Sequence, residues 1–145
     1  MTALEQGISY LSCRPCSCKE LRTKLLQKGI CEEDTEAAIS RLLDYGYLND
    51  ARYASDIVRY YSRKGYGLQR IRLEFQKRGI PRELWEDALA ETPESADSID
   101  RILCQKLHNP EDSAEIRRVS SMLSRRGFAW EDIRAALERI RSEGI

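Results

Sequence analysis

The sequence predicts an all-α protein: a tandem repeat of three three-helix units, about nine helices in all, elongated and curved. Three observations predict it. First, one signature (cation, glycine, apolar residue) occurs three times, anchored on Gly29, Gly79 and Gly127, which lie 50 and 48 residues apart. Second, apolar residues keep helical spacing around each anchor. Leu21, Ile71 and Val119 stand eight before it, Leu25, Phe75 and Leu123 four before it, and Ile30, Ile80 and Phe128 one after it. Ala38-Ile39, Ala88-Leu89 and Ala136-Leu137 follow at nine and ten. Third, no segment alternates with period two, so nothing reads as a half-buried strand. A unit of fewer than 50 residues buries little apolar surface alone, so neighbouring units should stack.

Each element follows in order. Residues 2–12 form a short first helix. Ser17 with Glu20 is a capping-box pattern that opens the helix ending at Gly29. Lys28, Arg78 and Arg126 precede the three anchors, where a cation meets the negative end of a helix and glycine takes the left-handed cap. Glu33, Glu83 and Glu131 stand four after the anchors, in the first turn of the next helix, where an anion is favoured. Pro81 lies near the start of its helix, where a missing N–H costs little. Gly46 and Gly144 stand seventeen after the first and third anchors. Asn49 caps a helix over 50–64 that stops at Gly65. Thr92-Pro93 precedes a helix over 94–107, which ends before Asn109-Pro110. The units are therefore residues 1–48, 49–92 and 93–145.

Charge narrows the function. Lys plus Arg number 24 and Asp plus Glu 24, so the net charge is zero. That excludes a uniformly basic nucleic-acid binder but allows separated patches. Residues 59–82 hold eight basic and one acidic residue, and residues 83–115 hold two and ten. No apolar run approaches a membrane span, and residues 1–13 have neither a basic start nor a long apolar stretch, so a cytoplasmic protein is expected. The five cysteines fit a reduced compartment. Cys13, Cys16 and Cys18, with Cys31 as a fourth thiolate, invite a zinc reading. The only histidine, His108, is far away and no second ligand pair exists, so small thiols around a helix start are the expectation. The sequence has no phosphate-loop, dinucleotide or zinc-protease motif, and no nucleophile partner for His108. Neither an enzyme nor a cofactor is expected.

The central helix is amphipathic. At about 100° per residue, Tyr53, Ala54, Ile57, Val58 and Tyr61 share an apolar face. Arg52, Arg59 and Arg63 share the opposite face, with Asp56 among them. The basic block continues through Lys64, Arg70, Arg72, Lys77 and Arg78. Arg70 with Lys77, and Arg118 with Arg125, occupy matching positions nine and two before their anchors, where the first copy has Glu20 and Gln27. The second and third copies are thus expected to carry more of any phosphate binding than the first. Tyr60 and Tyr66 are candidates for stacking on bases. One reading is a cationic row offered to phosphate or acidic side chains. The other is an ordinary solvated face.

Two stretches carry a family resemblance. Gly46-Tyr47-Leu48-Asn49-Asp50-Ala51-Arg52-Tyr53-Ala54 continues into Val58-Arg59 and then Gly65-Tyr66-Gly67 ahead of Ile71-Arg72. Arg14-Pro15-Cys16-Ser17 leads into Glu20-Leu21-Arg22, Leu25 and Lys28-Gly29. These resemble the central and opening motifs of the RecX family, bacterial regulators of RecA recombinase, and the resemblance covers nearly the whole chain. Cys16 and Cys18 stand where polar or basic residues are expected, and the third copy matches more weakly. The resemblance implies a non-enzymatic protein that binds the RecA–DNA filament along its groove and inhibits strand exchange and ATP hydrolysis. A monomer that contacts single- and double-stranded DNA, and no membrane, is expected. The alternatives are an autonomous helical DNA-binding module and a protein-interaction adaptor.

Overall fold

The structure, a computed structural model, describes residues 1–143. It is all-α. The helices are α1 (Ala3–Cys13), α2 (Cys18–Gln27), α3 (Glu32–Asp44), α4 (Asp50–Arg63), α5 (Leu68–Arg78), α6 (Trp85–Leu89), α7 (Ser95–Lys106), α8 (Ser113–Arg125) and α9 (Trp130–Ser142). A 3₁₀ turn at Arg82–Leu84 leads into α6. Among the described residues there are nine α-helices and no strand. Gly144 lies outside the described residues.

Local chemistry sets the boundaries. Ser17 Oγ accepts from the Glu20 N–H, and Glu20 Oε1 accepts from the Ser17 N–H, both at 3.0 Å, so the capping box is complete. Asn49 Oδ1 accepts from the Arg52 N–H at 3.0 Å and starts α4. The three anchor glycines all have positive φ: 90° at Gly29, 73° at Gly79 and 97° at Gly127. One boundary differs from the sequence pattern. After Pro81 the chain first makes the tight turn at Arg82–Leu84, which leaves α6 only five residues. α8 starts at Ser113, where Asp112 caps it by accepting from the Ala114 N–H at 3.0 Å.

The chain forms two compact units. The first is Met1–Ile57 with Glu74–Ala88; the second is Val58–Leu73 with the chain from Leu89 onward. The middle copy thus contributes to both. In the first unit, Leu21, Leu25, Ala38, Ile39, Leu42 and Leu48 form a core, and α1 packs on it with Gly7 innermost. The Phe75 and Trp85 rings meet edge to face at 5.6 Å, and Trp85 Nε1 donates to the Ile80 carbonyl at 2.9 Å. In the second unit, Ile99, Leu103, Val119, Leu123, Phe128 and Ile133 form the core. Each fully buried leucine or isoleucine contributes about 1.5–3 kcal/mol.

Both units use the same joint. In the second, the start of α5 meets the end of α8. The Gly67 N–H donates to the Arg126 carbonyl at 2.7 Å and the Gln69 N–H to the Gly127 carbonyl at 3.0 Å. Donors orphaned at one helix start satisfy acceptors orphaned at another helix end. In the first, the start of α2 meets the end of α5: Ser17 Oγ donates to the Arg78 carbonyl, and Gly79 packs on Lys19. Ser17 and Gly67 both stand twelve residues before their anchors.

Glu115 ties the loop after α7 to α8. Its buried carboxylate accepts from the Asn109 N–H at 3.0 Å and from the His108 N–H. These two backbone donors hold its pKa below the ordinary glutamate value. A depressed folded-state pKa stabilises above the ordinary value, and that stability is lost as pH falls through the depressed one. Glu115→Gln should therefore melt lower than wild type at pH 7, and the gap should close as pH falls below about 4. Thermal melts from pH 7 to pH 3 check this; a gap independent of pH would contradict it.

Candidate functional site

The face of α4 predicted to be apolar is buried throughout: Tyr53, Ala54, Ile57, Val58 and Tyr61 are all at most 8% exposed. Arg52, Arg59 and Arg63 are exposed. Arg52 Nη2 donates to the Gly46 carbonyl at 3.0 Å, which folds its guanidinium back over the preceding turn.

In the second unit the basic and aromatic residues interleave. Lys64 Nζ lies 5.6 Å from the centre of the Tyr60 ring. Tyr60 meets Tyr61 edge to face at 5.2 Å, and Tyr61 meets Tyr66 at 5.5 Å. The Arg70 guanidinium sits 5.5 Å from the Tyr61 ring and 4.8 Å from that of Tyr66. Buried Tyr61 is thus the footing, and Tyr60, 54% exposed, is the outer ring. Cation–π contact holds each charge over a ring without neutralising it. Arg63 and Lys64 are exposed at the end of α4, and Arg72 is exposed on α5. The structure therefore brings together Tyr60, Lys64, Tyr66 and Arg70. Arg118 and Arg125 stand exposed along α8.

Arg126 joins this neighbourhood. Its Nη1 lies 2.9 Å from where a Cβ on Gly65 would stand, at the turn between α4 and α5. In the sequence, Arg126 marks only the end of its own helix. Its signal was the same cation-before-glycine column that contains Arg78.

In the first unit, Lys77 is exposed and Arg78 is not. Arg78 Nη1 donates to the Tyr53 hydroxyl at 2.9 Å, and its Nε lies 3.4 Å from Glu74 Oε2. Glu74 is 4% exposed. Burial, as the main cause, raises the Tyr53 hydroxyl pKa. Arg78 was expected in the outward cationic row, but its guanidinium points inward and compensates a buried carboxylate.

Cys16 is buried and Cys18 half-buried, while Cys13, Cys31 and Cys104 are exposed. Burial, with Glu20 next, pushes the Cys16 thiol up to about 12; burial and Asp50 push Cys18 to about 11. The Cys18 N–H donates to Asp50 Oδ1 at 2.9 Å, which joins the opening motif to the central one. Among the described residues, no three His, Cys, Asp or Glu side chains are placed to hold a metal ion. Also among them, no helix is long and apolar enough to cross a membrane.

An exposed ring among standing cations can stack on a base or flat group and attract phosphate or carboxylate. Comparison with known proteins agrees with a regulatory reading. Two family models match: RecX, first three-helix domain, over residues 3–42, and RecX, second three-helix domain, over residues 49–89. The chain is 34% identical over 140 residues to the Regulatory protein RecX of Vibrio vulnificus (strain CMCP6), covering 94% of this chain and 92% of that one. It is 36% identical over 140 residues to the Regulatory protein RecX of Xanthomonas axonopodis pv. citri (strain 306), covering 93% and 85%. The fold matches the crystal structure of RecX from Lactobacillus salivarius with a TM-score of 0.79 at 23% identity, over 96% of this chain and 94% of that one. Two matched three-helix domains, and relatives aligned over nearly their whole length, place this chain in the RecX family of regulatory proteins.

Proposed function

We propose that this chain is a negative regulator of RecA recombinase that binds the RecA–DNA filament and inhibits its ATPase and strand exchange. It acts in the cytoplasm as a monomer, without a cofactor and without catalysis of its own. Family membership supports the partner. The observation that carries the mode of action is the interleaved run Lys64, Tyr60, Tyr61, Arg70 and Tyr66, with Arg63 beside it. A nucleoprotein filament presents phosphate, bases and acidic side chains together, and this surface offers a chemical complement to each. Arg59, Arg72, Arg118 and Arg125 are further exposed cations of the second unit and Lys77 is one of the first, and an inhibitor that grips several filament subunits resists the rearrangements of ATP hydrolysis.

The test is RecA's DNA-dependent ATPase with sub-stoichiometric amounts of this protein at several salt concentrations. The rate should fall, and the inhibition should weaken as salt rises, because exposed charges are screened. An unchanged rate at every ratio would contradict the proposal. Tight DNA binding with no effect on RecA would favour the autonomous DNA-binding module instead.

A further inference from the structure

We infer that the first unit carries a second phosphate-binding site, a cleft between α2 and the end of α5, with Lys19, Lys24 and Lys77 as its cations and the backbone of a DNA strand as its ligand. This deepens the reading above and rests on its premise that the protein meets DNA. The cleft has a volume of about 380 Å³, room for a phosphodiester group, and Tyr10, Thr23 and Gln27 complete its walls. The three lysines make no ion pair among the described residues. The two other charged groups on the lining are already engaged. Glu20 is held by the Ser17 N–H in the capping box, and Arg78 points to Glu74 and Tyr53.

Three like charges on one concavity repel each other, and a bound anion relieves that repulsion. Lys24 is steadied by the Tyr10 ring, 5.8 Å from Nζ to the ring centre. Lys19 is placed by the joint itself, since its side chain packs against the backbone of Gly79. The flexible ammonium groups suit a phosphate as point charges, without the flat bidentate fit of arginine. The first copy therefore adds cations to the surface, from positions ten and five before its anchor rather than nine and two.

The experiment measures binding of the full chain to a fluorescent single-stranded oligonucleotide by anisotropy across a salt series. Lys19→Gln with Lys24→Gln is compared with Arg63→Gln with Lys64→Gln and with wild type. Each lost phosphate contact lowers the log–log salt slope by about 0.7, so the Lys19/Lys24 variant should lose about 1.4. Its binding should be several-fold weaker at low salt, with unchanged circular dichroism. An unchanged slope in that variant, with a loss in the Arg63/Lys64 variant, overturns this site and leaves the proposed function standing. No oligonucleotide binding by wild type overturns it too. Unchanged slopes in both variants, with weaker inhibition of RecA, would assign the lysines to an acidic protein surface instead. Inorganic phosphate at matched ionic strength should leave the oligonucleotide bound; displacement at millimolar concentration would assign the cleft to a small free phosphate.

Discussion

Gly127→Ala should destabilise the protein by about 3 kcal/mol or more, a large share of an ordinary folding stability. Two costs combine. The residue sits at φ 97°, and an L side chain there costs about 1–2 kcal/mol. The added Cβ would also stand 2.4 Å from the Arg70 backbone nitrogen, and no rotamer change relieves a clash with backbone. The start of α5 would have to move off the end of α8, weakening the hydrogen bonds from Gly67 and Gln69. Such overpacking adds about 1–3 kcal/mol. Gly29→Ala is the control, because its φ is 90° but nothing lies within 4 Å of its Cβ position. It should cost only the conformational part. Urea unfolding of the two variants checks the difference; equal losses would show that the close helix contact contributes nothing.

Arg78→Ala should be comparably damaging, for an electrostatic reason. Removing one partner of a buried ion pair costs about 3–5 kcal/mol, because the other charge stays buried with less compensation. Glu74 is that charge. The side chain of Arg78 is 31% exposed, which screens part of the interaction and places the expected cost near 3 kcal/mol, the low end of that range. Replacing both partners, Glu74→Gln with Arg78→Met, should recover most of the loss, since both charges of the pair are removed together. Chemical denaturation of the single and double variants checks this. A double variant as unstable as Arg78→Ala would mean that Arg78 acts through packing or through Tyr53 rather than through the buried carboxylate.

Much of the architecture was legible because its signals are local. Ser17 with Glu20, Asn49, and a cation before each anchor glycine mark helix ends through caps and dipoles that involve only neighbouring residues. The apolar face of α4 follows from periodicity alone. What was not legible depends on contacts between distant residues. A cation one before a glycine reads the same whether it faces solvent, as Lys28 does, or reaches a buried carboxylate, as Arg78 does. The division of the middle copy between two compact units is a choice among packing partners, which no local pattern records. Pro81 has the local pattern of an ordinary helix start, yet the turn it begins is tight and shortens α6.

The candidate surface was partly legible. Tyr60, Tyr66, Lys64 and Arg70 were singled out as residue types in a basic block, and the fold adds their alternation around Tyr61. In the register that the copies share, the first copy has Glu20 and Gln27. That register passed over Lys19 and Lys24, which reach the same concavity as Lys77 only through the joint between α2 and α5.

The most direct test compares wild type with a variant carrying Tyr60→Ala, Arg63→Ala and Lys64→Ala, three exposed positions whose loss should leave the melting temperature nearly unchanged. The measurement is retention of each protein on RecA assembled on immobilised single-stranded DNA, over a salt series. Wild type should be retained and the variant lost at markedly lower salt. Equal retention at every salt concentration would show that the filament is gripped elsewhere, and would contradict the role assigned to this surface.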